Sequence, residues 1–202
     1  FMGWYMVSSG LIDRVDVSHF RLSVHLLIAF FILSLIFWNY LKLKDLSLPK
    51  HGINKFIPLI FLFFIFGQIS IGAFVSGMDA GKIYNSWPLM GSSFFPDDSN
   101  IVDLFSLKSF SDPSLVQFMH RNLAYIILVF YLLILIQVFL KKLTNFYFII
   151  KVIGILLLVQ IILGILTLLF GAQIFLASMH QISSIFLVSS IIYFLYLNTN
   201  FN

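Results

Sequence analysis

Long apolar runs separated by short polar connectors dominate this chain. Five of the runs, 22–41, 56–75, 122–140, 152–170 and 174–197, have the length of about 20 residues that a helix needs to cross a hydrocarbon core of about 30 Å. They are about twice as long as a membrane strand and do not alternate polar with apolar positions. The predicted fold class is therefore all-α, a multi-pass transmembrane helix bundle. The opening stretch FMGWYMV reads as the end of a further apolar helix, because no charged start or small-residue cleavage site marks it as a signal peptide. The chain is expected to begin partway through a larger protein.

Composition supports the membrane reading. Of 202 residues, 60% are hydrophobic and only 10% charged, whereas a soluble domain carries about 25% charged residues to wet its surface. The absence of Cys excludes disulfides, thiolate metal ligands and Cys nucleophiles. The net charge of +4 arises from a few Lys and Arg in short segments. It speaks to orientation and not to nucleic-acid binding.

The connectors divide into two sets. Segment 42–55 carries four Lys against Asp45, and the turn KKLTNFYFIIK carries Lys141, Lys142 and Lys151. Both should face the cytoplasm or its equivalent. Connector 76–118 holds Asp79, Asp97, Asp98, Asp103 and Asp112 against Lys82 and Lys108, and 171–177 holds no charge. These should lie outside, which gives a self-consistent alternation.

With that orientation, His25, His120 and His180 sit near the outer ends of three helices that run from outside to inside, at similar depth. An ionisable side chain in a membrane span leans functional, and three at matched depth lean further. His51 lies in a Lys-bearing inside connector. His19 is six residues from His25, and at about 100° per residue the two occupy different helix faces.

An internal repeat accompanies the histidines. GQISIGAFVSGMDAG (67–81) and VQIILGILTLLFGA (159–172) each place Gly four residues after Gln, Gln68 with Gly72 and Gln160 with Gly164. Each precedes a helix bearing His near its outer end. FMGWYMVSSG matches as a third copy through Gly3, leading to His25. Small residues at such spacing favour close helix packing; recurrence of the whole unit implies duplicated halves.

Two neutral imidazoles from different helices at one depth, without Cys and with no carboxylate inside a span, suit the axial positions of haem iron in a helix bundle. A catalytic zinc would require a third strong ligand and an open water position, and intramembrane proton relays usually pair His with Asp or Glu. Neither partner set is present in the spans.

The most polar interruption is GMDAGKIYNSWPLMG (77–91), which leaves the outer end of the second span and opens the longest outer connector. Trp87 and Tyr84 suit a membrane interface, and Gly77 and Gly81 permit a tight turn. The stretch reads either as an interfacial anchor or as a lid on the bundle mouth.

Five motifs together, GWYMVSSGL, DVSHFRLSVHLLIA, GAFVSGMDAGKIYNSWPLMG, MHRNLAYIIL and MHQISSIFL, resemble the haem A synthase family in order and across nearly the whole chain. The third is the most specific; it departs from the family pattern at Met78, Ser86 and Gly91.

The resemblance implies an eight-helix membrane fold of two four-helix halves that oxidises a methyl of haem O to a formyl group, giving haem A for cytochrome oxidase. It implies that His120 and His180 are the axial ligands of a haem b cofactor in the second half. His25 would be one of two histidines at the substrate haem, its partner and a carboxylate lying upstream of Phe1. Arg121 and Lys82 would meet propionates. In this frame residues 1–76 are the remainder of the first half and the start of the second, 77–118 the outer loop, and 119–202 the cofactor helices. The implied setting is an inner membrane, with the histidine-bearing helix ends and the long loop outside. The resemblance implies a haem O synthase as donor of the substrate; an electron acceptor, a separate N-terminal piece, further copies of the chain and the lipid bilayer complete the candidate partners. A bis-His electron carrier of the cytochrome b type, an inactive remnant, and a non-haem transporter or assembly factor remain as alternatives.

Overall fold

A computed structural model describes residues 1–10, 17–44, 46, 48–49 and 51–199. Among them six α-helices follow one another: α1 (Met2–Gly10), α2 (His19–Leu43), α3 (Phe56–Gly77), α4 (Pro113–Leu140), α5 (Tyr147–Leu169) and α6 (Ile174–Leu197). No strand occurs among the described residues, and one isolated bridge joins Met90 and Ser93. The last five helices are long and apolar enough to cross a membrane, in agreement with the expected class. The short helix α1 covers the opening apolar stretch.

Their boundaries differ instructively from the hydropathic runs. Helix α4 begins at Pro113 rather than near residue 122. Its extra turns are started by Asp112, whose carboxylate accepts from the backbone N–H groups of Ser114 (2.9 Å) and Leu115 (3.1 Å), with Pro113 in the first turn. A side-chain cap and an N-terminal proline specify a start independently of apolar content. His120 therefore lies inside a helix, not just before one. Helix α2 likewise starts at His19, so both of its histidines share one helix.

Helix α3 packs on α4, α4 on α5, α5 on α6 and α6 back on α3, forming a four-helix ring. Helix α2 leans on α3 and α6 from outside, with α1 against α2. Close approaches use small residues: a Cβ on Gly77 would stand 2.9 Å from His19 Cα, and one on Gly154 would collide with the Tyr131 hydroxyl. That hydroxyl donates to the Ile150 carbonyl (3.0 Å). Between α2 and α3 the Ser23 and Ser70 hydroxyls meet at 2.9 Å.

The fully buried side chains Ile134, Val138, Phe146, Ile153, Ile191 and Phe194 concentrate in the half of the ring near the Lys-bearing connectors. At the other end, residues 118–125 of α4 and 163–168 of α5 are only half-buried. Outside, apolar side chains such as Phe31, Ile36, Phe63, Ile155 and Phe186 are exposed. In water so large an apolar surface would aggregate; in a bilayer it meets acyl chains.

The Lys-bearing end is closed by Asn198, just after α6. Its side chain accepts from the Ile53 N–H (3.0 Å) and donates to the Ile53 carbonyl (2.9 Å), so one buried amide completes both backbone groups of a loop residue.

Candidate functional site

The Gly–His units of the sequence meet in space. A Cβ built on Gly3 would lie 3.3 Å from His25 Cε1, one on Gly72 would lie 3.1 Å from His120 Cε1, and one on Gly164 would lie 3.3 Å from His180 Cε1. In each case an imidazole edge rests on the bare backbone of the preceding helix. The glutamines of the repeat also have a role that their spacing did not reveal. Gln68 Nε2 donates to the His120 carbonyl (3.1 Å), and Gln160 Nε2 donates to the His180 carbonyl (3.0 Å).

His120 on α4 and His180 on α6 belong to helices that stand across the ring from each other. Each buries its Nδ1 without a hydrogen-bond partner among the described residues. A buried imidazole nitrogen with no partner is costly in a protein interior and is satisfied by a metal as well as by a hydrogen bond. Two such donors, flanked by half-buried apolar helix faces, fit the axial requirement of a haem. No group of three or more His, Cys, Asp or Glu side chains able to share an ion occurs among the described residues, so a three-ligand zinc centre lacks its donor set there.

His25 stands apart, on α2 against α1. His19 turns to the other side, its ring edge-on to Phe74 of α3 at 5.5 Å. His51 is exposed in the connector at the Lys-bearing end.

The stretch 77–91 folds across the histidine end of the ring and is stitched to two of its helices. Arg121, next to His120, donates through Nη1 to the carbonyls of Ser86 (2.9 Å) and Leu89 (3.3 Å), and through Nη2 to that of Tyr84 (3.0 Å). Gln117, one turn earlier on the same face, donates to the Tyr84 carbonyl as well (3.0 Å). Trp87 Nε1 donates to the Tyr125 hydroxyl (3.1 Å), and Asn85 donates to the Leu168 carbonyl at the end of α5 (2.8 Å). Asp79 takes a left-handed conformation, φ 52°, and its carboxylate pairs with Lys82 at 2.9 Å. Both members of that pair are exposed.

A carboxylate network holds the rest of the loop. Asp97 accepts from the Ser92 N–H (3.0 Å) and from the hydroxyls of Ser92 and Ser93, which keep its carboxyl below the usual range. Asp98 accepts from Ser114 (2.8 Å) and Tyr84 (2.9 Å). Partial burial pushes the Asp98 carboxyl up, but the bonds from Ser114 and Tyr84 outweigh it and the net direction is down. Burial first, and then the bond to Asp98, push the Tyr84 phenol up.

Sequence reasoning named His25, His120, His180, Arg121 and Lys82. The structure brings His120, His180 and Arg121 to one end of the ring and leaves His25 on the neighbouring pair. Gln117 was missed. Its only sequence signal was the i, i+4 relation to Arg121, which puts both on one face of α4.

Residues 1–192 match the COX15-CtaA family, described as cytochrome oxidase assembly protein. A protein of Pelagibacter ubique named heme A synthase is 49% identical over 99% of this chain and 59% of its own length. Proteins of the same name from Rickettsia bellii and Rickettsia prowazekii are 44% and 40% identical, over 96% and 98% of this chain and 59% and 60% of their own lengths. The chain thus spans about three fifths of these relatives. On this match and on a fold of membrane-length helices, the chain belongs to the cytochrome oxidase assembly protein family.

Proposed function

We propose that this chain contributes to a haem A synthase, oxidising a methyl group of haem O to a formyl group so that cytochrome oxidase receives haem A, and that His120 and His180 hold a haem b cofactor. The observation that carries this reading is the pair of imidazoles on facing helices, each burying an Nδ1 with no hydrogen-bond partner among the described residues and each resting on a glycine. The name of the relatives supports the same activity.

When bound, haem b supplies a one-electron carrier. The protein's own part is to present two neutral nitrogen ligands, to cover the macrocycle with apolar side chains and to keep water out with the loop 77–112. Arg121 on α4 and Lys82 within the loop are the cations assigned to propionate contact. Arg121 also secures the loop through backbone carbonyls. His25, resting on Gly3, serves the substrate haem in a separate half of a two-half, eight-helix fold. By the Lys distribution the histidine end faces outward across an inner membrane. A haem O synthase supplies the substrate, and a redox partner takes the electrons.

The test is the reduced-minus-oxidised visible spectrum of the detergent-purified chain beside His120→Ala and His180→Ala. A low-spin b-type signal lost in either variant is the expected result, and a well-folded chain that takes up no haem overturns the cofactor assignment. Cellular haem A then separates synthase from electron carrier. Deletion of the gene abolishes haem A in the first case and leaves it in the second.

A further inference from the structure

We propose that the groove between α3 and α4 at the Lys-bearing end seats one anionic phospholipid of the leaflet on that side. Its phosphate meets Lys141, its glycerol ester meets Gln137, and an acyl chain lies along the apolar wall. The inference makes no use of the histidines and stands whatever they bind.

The groove has a volume of about 400 Å³, and its lining includes Ile57 of α3 and Phe130, Leu133, Ile134, Gln137 and Lys141 of α4. The α4 residues recur at intervals of three and four, which puts them on one face of the helix. From Phe130 to Lys141 that face runs about 16 Å at about 1.5 Å per residue, roughly half of a hydrocarbon core about 30 Å thick. The groove therefore has the depth of one leaflet. Leu133 on its wall is 58% exposed, so the wall is open toward the bilayer.

Its chemistry is graded along the helix. Phe130, Leu133 and Ile134 are purely apolar. Gln137 is half-buried, and its carboxamide has no hydrogen-bond partner among the described residues. Away from water an unbonded amide is costly, and an ester carbonyl can accept from its NH2 group. One turn further on, Lys141 is exposed at the end of α4. The aspartates among the described residues, Asp79, Asp97, Asp98, Asp103 and Asp112, all belong to the connector at the opposite end of the bundle. No described carboxylate competes for the Lys141 ammonium. Apolar wall, amide and ammonium thus follow the order of acyl chain, ester and phosphate in a lipid. A second copy of the chain, inserted in the same direction, would bring lysines to this end rather than an anion. A zwitterionic lipid would match the wall and the amide, but an anionic one adds net negative charge beside Lys141 and the adjacent Lys142.

The experiment titrates the detergent-purified chain with dioleoylphosphatidylglycerol and, separately, with dioleoylphosphatidylcholine, counting retained lipids by native mass spectrometry. One phosphatidylglycerol is expected to stay bound under conditions that strip phosphatidylcholine. Lys141→Gln should weaken its retention about 5-fold, the usual effect of one lysine beside an anionic lipid. Lys151→Gln, an exposed lysine at the start of α5 and outside the groove, should leave retention unchanged. Gln137→Leu should weaken both lipids alike, and Leu133→Trp, which fills the wall, should displace both. Equal retention of the two lipids by the unmodified chain overturns the proposal. So does an equal effect of Lys141→Gln and Lys151→Gln, which would mean charge attraction without a seat. A dimer that dissociates in Leu133→Trp assigns the groove to a second copy and overturns it too. Lys141→Gln alters only an exposed side chain, so it decides the matter even if Leu133→Trp loses its helical circular dichroism.

Discussion

The imidazole of His120 lies so close to the backbone of Gly72 that a side-chain Cβ there would stand 3.1 Å from His120 Cε1. That distance is tighter than ordinary van der Waals contact, so the ring must shift if Gly72 gains a side chain. Gly72→Val should displace His120 and cost about 1–3 kcal/mol, the usual range for overpacking. Gly67→Ala, on the same helix, meets its nearest neighbour Leu123 at 3.6 Å and should be neutral or slightly stabilising, since alanine restricts the unfolded chain more than glycine does. Thermal unfolding in detergent and haem retention, compared between the two variants, check this.

Arg121 bonds three loop carbonyls from one guanidinium. Arg121→Lys keeps the charge but lacks the planar fork that reaches several acceptors at once, so it should release the loop nearly as fully as Arg121→Ala. Protease cleavage within 78–112 should rise in both variants, with α-helical content unchanged. Rescue by lysine would contradict the latch role.

The carboxylates of the loop predict its pH response. Asp97 and Asp98 are held below the ordinary value of 3.8, so each favours the folded loop fully above that value and loses its contribution as pH falls through the lower folded value. Amide exchange at 90–99, corrected for intrinsic rates, should lose protection below about pH 4, where an aspartate of ordinary pKa begins to protonate. Asp97→Asn should remove part of that acid sensitivity.

At the opposite end, Asn198→Leu removes both partners of Ile53 while leaving its backbone groups buried. Unsatisfied buried groups cost about 1–3 kcal/mol each, so the variant should unfold at a lower temperature. Asn198→Asp keeps the acceptor but loses the donor to the Ile53 carbonyl, and should fall between the two. Thermal unfolding of the three chains gives the order.

What the sequence determined by itself was whatever depends on composition along one helix. The length of the apolar runs required membrane helices, and α6 spans 174–197 in both the reading and the structure. The start of α4 was less legible, because Asp112 and Pro113 specify it by capping, outside the apolar run. The Gln and Gly of the repeat were visible as spacing, yet their purpose was not. Gln68 and Gln160 turn out to bond the backbone of histidines 52 and 20 residues away, and which carbonyl a buried amide reaches depends on how two helices cross. The same holds for Arg121, whose charge is plain in the sequence but whose three acceptors come from a loop 32 to 37 residues earlier. Apolar burial is nearly indifferent to direction and can be read in one dimension. Hydrogen bonds demand a partner at one distance and angle, and only the tertiary structure selects it.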